Sequence, residues 1–159
     1  MFSQNSTFKL RARYAAGVDA GWIADSLRDS DRDELEAATG LDPVAGIRFC
    51  LKSSNNTIVA DDNGELVAVW GITSPTICSD EGNPWLFTGH AVERNKWEFL
   101  YQSKRQVKLW QQDYKRLMNY VDDRHDAAKR WLVWLGFTLS EPVPFGYAQL
   151  PFRRFEMRV

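Results

Sequence analysis

Cysteine and histidine are scarce, with two of each in 159 residues. Cys50 and Cys78 lie far apart, and neither has a second cysteine or histidine at metal-ligand spacing. That excludes the common zinc frameworks and leaves two free, buried thiols of a reducing compartment as the plain reading. Charge of one sign is not in excess. Twenty Lys and Arg stand against 21 Asp and Glu, for a formal net charge of −1, so nothing draws the chain in bulk to nucleic acid or to an anionic membrane. No apolar run approaches the roughly 20 residues of a membrane helix, and the first ten residues are polar, with no signal-peptide core. No Ser-His-Asp signature, P-loop or dinucleotide fingerprint is present. These absences predict a protein without a metal, a nucleic-acid partner or a membrane partner, acting in the cytoplasm where it is made or packaged in a particle.

Aromatic residues, by contrast, are plentiful. Seven tryptophans, nine phenylalanines and five tyrosines are enough for a core and for the walls of a groove. Taken in order, residues 8–14 alternate apolar and charged side chains, the period of a half-buried strand. Asp19 offers a helix N-cap. Asp31 and Glu34 fit a capping box for a second short helix that closes at Gly40, and the charges around them read as a solvated helical hairpin. Pro43 opens a third helix with Val44, Ile47, Cys50 and Leu51 on one face. Two apolar strands, 57–60 and 66–72, flank Asp61-Asp62-Asn63-Gly64, a strong hairpin turn. Residues 152–159 read as a last strand.

The organising stretch runs from Pro84 to Phe137. It predicts a short strand (85–88), a long basic helix (97–117), a short strand (118–121) and a second helix ending at Leu135-Gly136-Phe137. This β-α-β-α order implies a partly parallel sheet. Leu100, Ser103, Val107, Trp110, Tyr114 and Leu117 step by three and four along the inner face of the long helix. Asp122 and Asp123 read as caps of the helix that follows.

Residues 122–137 resemble the last conserved helix of the GNAT superfamily of acyl-CoA-dependent N-acyltransferases. His125 stands at that motif's Asn position, Ala128 at its Ala, and Gly136-Phe137 at its closing Gly-Phe. With Phe99-Leu100, Ser103-Lys104-Arg105 and Asn119-Tyr120-Val121-Asp122, the chain looks most like the degenerate GNAT-like proteins of short-tailed bacteriophages. The resemblance spans about Phe8 to the C-terminus and is specific over 99–137. It implies one α/β (α+β) domain over residues 1–159, with a GNAT-like mixed central sheet of about six to seven strands flanked by about four to five helices.

The resemblance also implies a site. The family's loop before the long helix holds the coenzyme A diphosphate on glycine-rich backbone amides. Here residues 92–99 contain no glycine, and Trp97 and Phe99 stand at the glycine positions. If acetyl-CoA is the cofactor, its contacts fall to the side chains of Arg94, Asn95 and Lys96, with Lys104 or Arg105 helping; the competing reading is a basic surface around a helix start. The family's general-acid tyrosine position is Leu132, which donates no proton, although Trp131, Tyr120 and Tyr147 are donors elsewhere in the chain. His90 is the first candidate base and Glu93 the second, against a structural role for either. The expectation is an N-acetyltransferase acting on a host protein or a small amine. Its alternative is a GNAT-fold protein without turnover, which binds and redirects a host bacterial enzyme or joins the phage structural proteins in virion assembly.

Overall fold

A computed structural model describes residues 10–159. One sheet runs through it, built in chain order from β1 (Arg11–Tyr14), β2 (Asn55–Asp62), β3 (Glu65–Thr73), β4 (Glu81–Thr88), β5 (Arg116–Asp122), β6 (Thr138–Leu139), β7 (Val143–Phe145) and β8 (Leu150–Arg158). Five α-helices flank it: α1 (Ala20–Ser26), α2 (Asp29–Thr39), α3 (Pro43–Ser53), α4 (Lys96–Asp113) and α5 (Asp126–Leu135). Strand order is β1-β2-β3-β4-β5-β8-β6, with β7 also on β8. All pairings are antiparallel except β4 with β5. The expected α/β class and mixed sheet are therefore present. Phe8 and Lys9 of the expected first strand lie outside the described residues.

Two apolar layers sandwich the sheet. On one face α1, α2 and α3 bury Ile23, Leu35 and Ile47 against Val69 and Phe87. On the other, α4 and α5 bury Val107 and Leu132 against Leu117, Val121 and Phe155. The β2–β3 turn is set by Asn63 and Gly64, both at positive φ. Asp42 caps α3 by accepting the Ala45 N–H at 3.1 Å, just before Pro43. Gly136 ends α5 at φ +107° in the left-handed region.

Several elements differ from the sequence reading. The long helix stops at Asp113 rather than Leu117, and Leu117 is a fully buried strand residue. Its spacing from Val107 and Trp110 suits either element, and strand pairing to β8 decides the outcome. Asp31 and Glu34 form no capping box, because α2 starts three residues earlier with Arg28 as its N-cap. Asp122 does not cap α5. It ends β5, buried, and grips Arg124 with both oxygens. The N-cap is His125, whose Nδ1 accepts the Ala128 N–H at 3.4 Å. Of the two thiols expected to be buried, Cys50 is half-buried and Cys78 is exposed.

Candidate active site

The site begins as a fault in the sheet. The parallel strands β4 and β5 pair only through Glu81 with Arg116 and Gly82 with Leu117. Beyond that point they separate, and two side-chain amides span the root of the gap. Asn83 Nδ2 donates to the Met118 carbonyl at 2.8 Å, and Asn119 Nδ2 donates to the Pro84 carbonyl at 2.9 Å. These bonds satisfy carbonyls that the missing ladder leaves free.

A cavity of about 1230 Å³ occupies the fork and reaches both faces of the sheet. On the α4–α5 face its walls include Lys96, Phe99, Ser103, Arg105, Arg130 and Trp131. Phe99 and Trp131 stack there, ring centroids 5.6 Å apart. The Trp131 indole N–H is buried without a hydrogen-bond partner, so the cavity holds one donor with nothing to donate to. Leu132, at the family's tyrosine position, is buried in the core beneath it.

On the α2–α3 face, buried polar groups meet at the mouth of the fork. Asp31 accepts the Thr88 hydroxyl at 2.8 Å and the Arg28 Nε–H at 3.4 Å. The His125 Nε2 lies 3.8 Å from its other oxygen. Since His125 Nδ1 is an acceptor, the ring hydrogen of the neutral form sits on Nε2, toward Asp31. The group thus ties α2 to the ends of β4 and β5. One turn along α2, Glu34 also lines the cavity. Its side chain keeps some contact with solvent through the opening, but the protein packed around the carboxyl dominates. Burial, followed by the neighbouring Asp31 and Asp122, pushes its pKa up to about 8, against smaller lowering effects from the Asp122 backbone and Arg124.

The sequence candidates scatter around this centre. His90 is exposed and is not among the lining residues of the cavity. Glu93 does line it, at the rim, and pairs with Arg28 at 3.1 Å. Arg94 and Asn95 turn the other way. Arg94 bonds Asp62 at 2.8 Å and Glu65 at 2.9 Å, and Asn95 bonds Asp62 at 2.9 Å. Both fasten the segment His90–Asn95, a 3-10 helix, to the β2–β3 hairpin. Gly89 lets that segment lie on β3, because a Cβ there would stand 2.3 Å from the Leu66 carbonyl oxygen. Lys96 and Arg105 line the cavity, while Lys104 rests 4.2 Å over the ring of Trp134. Tyr120 is in the cavity, whereas Tyr147 is exposed and outside it. Cys50 lines it too, and burial raises its thiol to about 11, so it stays protonated.

Asp31, Glu34 and His125 form the centre that sequence reasoning did not single out as catalytic. The one signal was Asp31-x-x-Glu34, which has the same spacing as a capping box.

Acyl-CoA fits this cavity in part. The fork is open, Trp131 offers an unused donor inside it, and Lys96, Arg105 and Arg130 make one face basic. Any diphosphate contact falls to those side chains, since Arg94 and Asn95 are already engaged. No group of three or more histidine, cysteine or acidic residues suited to a metal occurs among the described residues. No described helix is long and apolar enough to cross a membrane.

No protein-family model matches the chain, and no curated protein matches it by sequence. Solved structures do match its fold. A GNAT-family acetyltransferase from Streptococcus pneumoniae superposes with a TM-score of 0.66 at 19% identity, covering 94% of this chain and 99% of that one. An aminoglycoside N(6')-acetyltransferase from Legionella pneumophila gives 0.68 at 11%, covering 98% and 95%. RimL, a ribosomal L7/L12 alpha-N-protein acetyltransferase solved with coenzyme A, gives 0.68 at 10%, covering 97% and 96%. At these identities the likeness is one of fold, and the fold is that of the GNAT acetyltransferases.

Proposed function

We propose that this chain is an acyl-CoA-dependent N-acyltransferase whose proton acceptor is Glu34. One observation carries the reading: the cavity that parts β4 from β5 has a basic, aromatic wall on one face of the sheet and, on the other, a carboxyl raised to about 8. A carboxyl with that pKa exchanges protons near neutral pH, where acid–base catalysis is most effective.

Acyl-CoA, when bound, supplies an activated acyl thioester. The β4 and β5 edges, Trp131 Nε1, Lys96 and Arg105 would hold it. Glu34 takes a proton from the acceptor ammonium and leaves a neutral amine. Asp31, fixed by Thr88, Arg28 and His125, keeps α2 in register with the fork. It also raises Glu34 by like-charge repulsion. Leu132 gives the leaving thiolate no proton, so that proton comes from solvent or from protonated Glu34. The test is thiol release from acetyl-CoA with amine acceptors. The wild type turns over, and Glu34→Gln loses about a hundredfold in rate. Equal rates in the two proteins would remove Glu34 from the role.

A second reading is favoured by the engaged Arg94 and Asn95 and by Leu132 at the tyrosine position: a phage GNAT-fold protein that binds without turnover. Its partner would be a host protein in the cytoplasm or a structural protein of the virion. Trp97 and Tyr101, both exposed on α4, supply aromatic contact area for it. Stable capture of one such protein, unchanged by acetyl-CoA and without thiol release on any amine, would favour this reading over the first.

A further inference from the structure

The acceptor half of the cavity has a composition of its own. Leu35, Phe49, Trp85, Tyr120, Phe145 and Phe152 line it on the α2–α3 face. Tyr120 and Phe145 stack with centroids 3.9 Å apart, and Phe145 lies 5.3 Å from Phe152. The loop after β7 closes this half against α2, where the Tyr147 and Ala148 N–H groups donate to the Ala38 and Ala37 carbonyls, each at 3.0 Å. The charges also count out. Asp31 is paired with Arg28, and Asp122 with Arg124. Among the described residues Glu34 forms no salt bridge; the Asp122 backbone and the more distant Arg124 are what favour its charge. One carboxyl outside any ion pair matches one ammonium, and the walls around it match apolar, flat surface rather than further cations.

We infer that the acceptor is a small primary monoamine with an aromatic or branched apolar body, its ammonium at Glu34 and its body between Phe49, Trp85 and the Tyr120–Phe145 stack. This rests on the acyltransferase reading. In the reaction an N–C bond forms and the thioester C–S bond breaks. The ammonium gives up two protons in all, one appearing on the coenzyme A thiol and one in solvent.

The test sets 2-phenylethylamine and 3-methylbutylamine against spermidine, kanamycin and a hexapeptide with N-terminal phenylalanine. It measures acetyl-CoA-dependent thiol release, and separately the melting temperature with each amine alone. The two small monoamines are expected to exceed spermidine and kanamycin by about tenfold or more in kcat/KM, the scale on which a mismatched pocket discriminates. Phe49 is exposed on α3 and lines the cavity, so Phe49→Ala keeps the fold. It should raise KM for 2-phenylethylamine about tenfold while KM for acetyl-CoA holds. Preferred turnover of spermidine, kanamycin or the peptide overturns the inference, as does 2-phenylethylamine that neither stabilises the protein nor is acetylated. Stabilisation by 2-phenylethylamine above spermidine, with no thiol release on any amine, supports the pocket's preference and instead removes the acyltransferase reading.

Discussion

In the proposed reaction Glu34 is the proton acceptor, a role that should be visible in two pH profiles. Its pKa rises from 4.5 in the unfolded chain to about 8 in the fold. Between those values the folded state keeps a proton that the unfolded state has released. Stability therefore falls as pH rises from about 4.5 to 8 and levels off above. Glu34→Gln removes that slope, so the variant's melting temperature relative to wild type should climb across this window. The transfer rate should run the other way in wild type, rising through pH 8 as Glu34 ionises, with the limb absent in Glu34→Gln. Trp131→Phe should raise KM for acetyl-CoA about five- to tenfold, the worth of one hydrogen bond. Its melting temperature should hold, because the Phe99 stack survives and the removed N–H has no partner in the fold. Neither Glu34 nor Asp31 announced this role in the sequence. An i, i+3 acidic pair has one spacing whether it caps a helix or faces a cleft. Only the start of α2 at Asp29 separates the two. The sequence favoured His90 as the base, yet His125 is the histidine buried beside Asp31, while His90 faces out.

At the scale of elements, local chemistry reads well and partners do not. Asp42-Pro43, Asn63-Gly64 and Gly136 mark their boundaries because caps and turns depend on a few adjacent residues. The end of α4 depends on β8, more than thirty residues away, and so lay beyond a periodicity argument. The same holds for residues 92–99. The absence of glycine there was legible, but the use of Arg94 and Asn95 to fasten the segment to Asp62 on a distant hairpin was not. Arg94→Ala should accordingly loosen the His90–Asn95 segment, read as faster amide exchange there, and leave KM for acetyl-CoA unchanged. A large rise in that KM would return Arg94 to the ligand. Asn119→Ala removes one of two amides across the fork. It should lower stability by about 1–2 kcal/mol, since the Pro84 carbonyl loses its donor, as denaturant melts would show.

For the molecule as a whole, one sheet divides two tasks. The α4–α5 side offers cations, stacked rings and a free indole N–H, while the α2–α3 side offers a carboxyl outside any ion pair in an aromatic box. The β4–β5 fork joins them, and everything in the proposed reaction depends on a ligand entering it. A thermal melt with acetyl-CoA, with coenzyme A as a second ligand and ATP as a charge control, tests that entry most directly. A ligand that binds only the folded state, at 100 times its dissociation constant, adds about 2.7 kcal/mol. For a domain of this size that is roughly 2–4 °C per kcal/mol. A rise of several degrees with acetyl-CoA and none with ATP is the predicted result. An unchanged melt at millimolar acetyl-CoA would contradict the account.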